Sequence, residues 1–131
     1  MATLHSLRKK LLHHPFCIQR SVELLKQYNS GDWRRYIDTN DRKNMVFSSP
    51  SVKMSIFTWN PGEVSPIYPH FYSNVIKILH NKLMMTCYDI NGEEESYNTL
   101  KKGYITSDNK IHMLQNTSED ICVSLHIYEK D

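Results

Sequence analysis

Leu4, Leu7 and Leu11 recur at the spacing of one helical face, which predicts a first helix that Pro15 ends or interrupts. Ile18, Val22 and Leu25 repeat that spacing and predict a second helix running to about Tyr28. Asn29-Ser30-Gly31-Asp32 reads as a turn. Trp33 and Tyr36 suit a short third helix, with both aromatics anchoring it to the core.

From Asn44 onward the period shortens to that of strands. Val52–Trp59 is rich in β-formers and partly alternates. Asn60-Pro61-Gly62 is a turn signal. Asn74–Leu79 and 82–89 flank His80-Asn81, which predicts a hairpin between them. Asn91-Gly92 and the three glutamates after it suggest an exposed acidic loop. Strands are expected at Gly103–Thr106, Ile111–Leu114 and Ile121–Tyr128. Short, closely spaced strands separated by turns point to a sandwich or barrel. The expected organisation is one domain over 1–131, with a helical N-terminal segment at 1–40 and a β-barrel at 44–128.

Composition narrows the class. A chain of 131 residues, 40% hydrophobic and 23% charged, suits one globular core. Its net charge of +2, without a basic run interleaved with aromatics, argues against nucleic acid as a partner. Arg8-Lys9-Lys10 is read as a solvated helix face, with membrane-surface binding the weaker alternative. The N-terminus lacks an apolar targeting core, and no apolar run reaches membrane-spanning length, so no membrane partner is expected. The cysteines Cys17, Cys87 and Cys122 are odd in number and lack Cys-x-x-Cys spacing, which suggests free thiols and a cytoplasmic location.

Three β-type segments each carry a histidine: His70, His112 and His126. In extended chain, alternate side chains share a face. Tyr68, His70 and Tyr72 would then share one face, and Cys122, Ser124, His126 and Tyr128 another. Histidines gathered from separate strands are common material for a mononuclear metal site. The plainer alternative is a hydrogen-bonded packing role in a β-rich core. His5, His13, His14 and His80 fall in helix or turn contexts and are expected at the surface.

The ordered pattern Trp59…Gly62…Ser65…Tyr68-x-His70, Lys77-x-Leu79, Tyr88, His112-x-x-x-Asn116 and Ser124-Leu125-His126-x-Tyr128 resembles the cysteine dioxygenases, thiol dioxygenases of the cupin superfamily. The likeness runs from about Val22 to Tyr128. It implies a mainly β fold, a cupin-type β-barrel (jelly roll) with N-terminal helices. It also implies ferrous iron, Fe(II), held by His70 and His112, with Tyr68 standing where relatives carry a third histidine. A neutral imidazole suits ferrous iron, whereas a phenol with a pKa near ~10 must ionise to bind strongly. A site of two histidines and water would bind iron more weakly, if it binds at all.

By the same resemblance, Tyr128 and His126 would assist catalysis. Relatives hold the substrate carboxylate with an arginine before Asn-Leu. Aligned on Asn44-Met45, that position is Lys43, with Arg42 one residue earlier. Both are candidate substrate-binding residues, and a surface charge pair is the alternative. Val75 occupies the position of the cysteine that some relatives cross-link to the tyrosine, so no such cross-link is expected. Cys87 and Cys122 are expected to pack as small hydrophobes. The implied activity is oxidation of a small thiol such as cysteine by O2 to a sulfinate. The alternative is a catalytically degenerate cupin that serves as a small-molecule-binding or protein-interaction module.

Overall fold

A computed structural model of the chain describes residues 2–12, 14–37, 41–65, 74–108 and 111–129. The first helix, α1 (Leu4–Leu11), starts where Thr3 and Ser6 cap one another. The Thr3 hydroxyl accepts the Ser6 N–H at 3.1 Å, and the Ser6 hydroxyl accepts the Thr3 N–H at 2.8 Å. This satisfies two of the amide donors that a helix start leaves open. α1 buries Leu4, Leu7 and Leu11, the stripe visible in the sequence. α2 (Ile18–Gln27) buries Ser21, Leu24 and Leu25. Asp32–Tyr36 forms a 3-10 helix that buries Trp33. Asp32 binds these pieces together by accepting the Tyr28 hydroxyl at 2.5 Å and the Leu4 N–H at 2.9 Å. Desolvation opposes ionisation of Asp32, but these hydrogen bonds outweigh it and hold the carboxyl below its ordinary range. Burial and the adjacent Asp32 push the Tyr28 hydroxyl well above the usual phenol range.

Eight strands follow: β1 (Lys43–Ser48), β2 (Val52–Trp59), β3 (Asn74–His80), β4 (Lys82–Tyr88), β5 (Glu94–Lys101), β6 (Ile105–Asp108), β7 (Ile111–Gln115) and β8 (Cys122–Glu129). They form two antiparallel sheets, a five-stranded one ordered β1-β2-β8-β3-β6 and a three-stranded one ordered β5-β4-β7. The large sheet is buried on both faces. On one face Val52, Met54, Ile56, Val123, Leu125 and Ile127 pack under the helices with Leu4, Leu25 and Trp33. On the other, Trp59, Ile76, Ile78 and Cys122 meet Leu83, Met85, Cys87, Leu100 and Leu114 of the small sheet. Burial on both faces explains why β2 and β8 read as apolar runs with only partial alternation.

The hairpin expected at His80-Asn81 does not form. β3 pairs with β6 and β8, whereas β4 pairs with β5 and β7. Asn81 sits between them at φ 63°, a left-handed conformation that asparagine tolerates better than most residues. Its side-chain amide donates to the Ser118 hydroxyl at 2.6 Å and the Ile121 carbonyl at 3.1 Å, fixing the corner where the chain passes between sheets. The expected acidic loop is shorter than predicted, because Glu94 and Glu95 already belong to β5. The strand expected from Gly103 begins at Ile105 instead, after a turn with Gly103 at φ 87°.

Lys77 locks the helical layer to the large sheet. Its ammonium donates to the Leu25 and Tyr28 carbonyls at 2.8 and 2.6 Å, at the C-terminal end of α2. Helix ends leave such carbonyls without partners, and the helix dipole favours a cation there. Burial nevertheless pulls the Lys77 amine below its ordinary range. Among the described residues no helix is long and apolar enough to cross a membrane.

Candidate functional site

The register of β2 and β8 builds a polar cluster inside the apolar space between the sheets. Phe57 lies opposite Ser124, Ser55 opposite His126 and Lys53 opposite Tyr128. Directly opposed residues share a face, so Ser124, His126 and Tyr128 point where Ser55, Phe57 and Trp59 point. The expected shared face of Cys122, Ser124, His126 and Tyr128 is present.

These side chains form a chain of hydrogen bonds. The Trp59 indole N–H donates to the Ser124 hydroxyl oxygen at 2.9 Å, and Ser124 Oγ lies 2.7 Å from His126 Nε2. The indole can only donate. Ser124 therefore accepts from Trp59, and its hydroxyl, with a second lone pair and its own proton, closes the bond to His126 Nε2. Its ring is packed against Phe57, with centroids 4.4 Å apart. Burial, reinforced by the nearby His112 and Lys43, pulls the His126 pKa down to about 3. His126 is thus a neutral imidazole across the physiological range.

Tyr128 sits at the more open end of this face, with its hydroxyl 3.2 Å from Ser55 Oγ. The Lys43 ammonium lies 5.5 Å from the Tyr128 ring centroid and 5.6 Å from that of Phe57, within cation–π range. Arg42 takes another course. It pairs with Glu63 and lies 5.9 Å from the Trp59 ring centroid. Of the two candidate carboxylate partners, Lys43 stands beside Tyr128, whereas Arg42 already holds a carboxylate.

His112 enters from the small sheet. It lies opposite Cys87 in the β4–β7 ladder and is buried to 3% exposure. Two residues along β7, Leu114 is pinned to Ser65: the Ser65 N–H donates to the Leu114 carbonyl at 2.8 Å, and the Leu114 N–H donates to the Ser65 hydroxyl at 2.8 Å. Ser65 is the last described residue before the segment that carries Tyr68 and His70, and both of those lie outside the described residues. The side chain of Asn116, another position of the motif, is spent on structure. Its amide donates to the Trp59 carbonyl at 2.9 Å and the Asp120 carbonyl at 2.8 Å.

Of the expected iron ligands, His112 alone lies among the described residues. His112 supplies a desolvated imidazole, and a neutral imidazole is a good ligand for that ion. Cys122 shares the interior, but burial pushes its thiol up to about 12, so it offers no thiolate near neutral pH. Among the described residues no three His, Cys, Asp or Glu side chains group closely enough to hold an ion. Ser55, Phe57 and the bridging role of Ser124 were not singled out in the sequence, although the period-2 spacing of β2 and β8 carried the signal. The remaining histidines divide. His5 and His14 are exposed as expected, and His13 lies outside the described residues. His80 is a correction, because it is half-buried with its ring centroid 6.2 Å from that of Trp33. Cys87 and Cys122 are buried, Cys17 is exposed, and none of the three is in a disulfide.

Several solved structures with this architecture are described as cupins. A cupin superfamily protein from Desulfitobacterium hafniense superposes with a TM-score of 0.62 at 18% identity, over 80% of this chain and 94% of that one. The cupin domain of Cnp3 from Schizosaccharomyces pombe gives 0.58 at 15% identity, over 68% of this chain and 60% of the other. A Bacillus halodurans protein gives 0.68 at 8% identity, over 80% of this chain and 82% of its own. No family model matches the chain. The two antiparallel sheets, the N-terminal helices and these neighbours define a cupin jelly-roll fold.

Proposed function

We propose that this cupin is a cysteine dioxygenase-like, non-haem iron thiol dioxygenase that acts on a small thiol such as cysteine. One observation carries the proposal: Lys43 and the Ser55–Tyr128 hydroxyl pair stand beside the Trp59–Ser124–His126 chain. That combination offers a cation for a substrate carboxylate, a hydroxyl for the reacting centre and a neutral imidazole fixed behind them. His112 would hold the iron together with His70, and with Tyr68 where a third histidine would otherwise stand. Bound ferrous iron would supply the activation of dioxygen, whose two atoms end on the thiol sulfur as a sulfinate.

The chain's own residues do the rest. Lys43 binds the carboxylate as a point charge, a looser recognition than the bidentate fork of an arginine. Tyr128 orients the reacting groups through its hydroxyl. His126 stays neutral, so it does not add a repulsive charge beside a cationic site. The apolar wall of Phe57, Trp59 and Ile76 excludes water and strengthens each polar contact.

Two measurements test the reading. With ferrous iron and cysteine, the protein should consume oxygen and form cysteine sulfinate, detected by mass spectrometry. Lys43→Ala should raise the apparent KM about tenfold or more, the size expected for a lost charged contact, whereas Arg42→Ala should leave it nearly unchanged. Elemental analysis should find substoichiometric iron in the natural protein and more iron in Tyr68→His. Absence of oxygen uptake by both proteins under saturating iron sinks the dioxygenase and leaves a ligand-binding cupin.

A further inference from the structure

A concavity lies between the helical layer and the β3–β6 edge of the large sheet. Its volume is about 340 Å³, and its lining includes Lys26, Arg34, Lys77 and Lys102. It shares no residue with the cluster around His126. Among the described residues that line it, none is acidic. In a protein of net charge +2, this places a large share of the positive charge on one small hollow. A concave, low-dielectric wall focuses such a field.

The cations differ in availability. Lys77 is committed to the two α2 carbonyls, and Lys26 is paired with Glu23 at 3.4 Å. Among the described residues Arg34 and Lys102 have no carboxylate partner. Arg34 is held in place. Its guanidinium carbon lies 4.8 Å from the Trp33 ring centroid, and the buried Trp33 ring gives it a fixed platform. It also lies against the bare Cα of Gly31, where an added Cβ would come within 2.2 Å of Arg34 Nη1. An arginine fixed before the ligand arrives loses little entropy on binding.

We infer that this hollow is a binding site for a small multivalent anion bearing phosphate or carboxylate groups, clamped between Arg34 and Lys102, with the Lys77 ammonium covering the α2 C-terminal carbonyls that would otherwise repel it. Its volume is near the lower end for small-molecule sites, which suits a compact ligand. The site is independent of the thiol chemistry proposed for the barrel interior.

Isothermal titration calorimetry of the full chain with inorganic pyrophosphate, and separately with citrate, tests the site and distinguishes phosphate from carboxylate recognition. At least one anion should bind with 1:1 stoichiometry and weaken as salt rises. Arg34→Gln and Lys102→Gln should each reduce its affinity about tenfold, as for other charge-assisted contacts. Gly31→Ala is the sharper probe. Gly31 lies at a negative φ of −94°, so alanine strains no backbone there, and its methyl group must displace the guanidinium. It should weaken binding while leaving the melting temperature of the free protein within a few degrees. No heat from either anion, or binding that ignores all three substitutions, overturns the inference.

Discussion

At the scale of the residue, His126 shows how one side chain can tie stability to pH. Its imidazole titrates near 6.5 in an unfolded chain and at about 3 in the folded one. Between those values the unfolded chain takes up a proton that the folded protein refuses. Acidification through this window therefore favours unfolding, and the contribution of His126 is fully present only above about pH 6.5. Metal-free protein should lose stability at up to about 1.4 kcal/mol per pH unit from this group as the pH falls from 6 to 4. Denaturant melts of chelator-treated protein at several pH values measure the slope. His126→Gln should flatten it, and an unchanged slope would show that the imidazole is not buried as described. The residue scale is also where the sequence was least decisive about binding. The choice between Arg42 and Lys43 turns on where β1 begins and how it pairs. Lys43 lies opposite Phe57, and a bulge between Met45 and Phe47 shifts the later register. No local pattern around Arg42 announces that geometry. Glu63, which pairs with Arg42, lies 21 positions away and across a turn.

At the scale of the element, the joint between helices and sheet rests on Lys77. Two carbonyls at the end of α2 converge on one ammonium with 6% exposure. Lys77→Met keeps most of the aliphatic stem but takes the charged donor from both carbonyls in a buried setting, leaving Leu25 with the long Tyr28 N–H contact at 3.2 Å. The expected cost is about 1–3 kcal/mol per unsatisfied group, reduced by the relief of desolvating an amine. Urea titration should show a lower midpoint, and hydrogen exchange should show the last turn of α2 losing protection before the strands do. Uniform loss across all elements would contradict this local role. Elements also show why parts of the fold were legible. The leucine stripe of α1 and the β-rich apolar run of β8 are local patterns, so both are visible in the sequence. β5 was mostly hidden because it is exposed at nearly every position and carries no alternation. The β3–β4 corner was misread because a hairpin and a sheet-to-sheet crossing can use the same short, polar dipeptide. What separates them is the partner of each strand, and those partners, β8 and β7, come later in the chain. The Trp59–Ser124 bond was invisible for the same reason, since it joins positions 65 residues apart.

At the scale of the whole molecule, the large sheet makes one cooperative unit of two cores. One core lies between that sheet and the helices, and the other lies between the two sheets. Adjacent residues of the same strands feed both: Ile56 faces the helices while Phe57 packs against the inner core, and Leu125 and His126 divide likewise. Neither core can come apart without releasing strands that the other needs. The chain is therefore expected to unfold in one step, as a single domain over its length. Its two tryptophans are placed to test this, because Trp33 belongs to the helix-facing core and Trp59 to the inner one. Trp33→Phe leaves a reporter of the barrel interior, and Trp59→Phe leaves a reporter of the helical layer. Each variant will be less stable than the parent, Trp59→Phe also losing its hydrogen bond to Ser124. The comparison is therefore made within each protein, between tryptophan fluorescence and far-ultraviolet circular dichroism. In both variants the two signals should trace one denaturant transition with the same midpoint. If the Trp33 signal changes well before the circular dichroism of the strands, the helical segment is a separate unit docked on the barrel, and the single-domain reading fails.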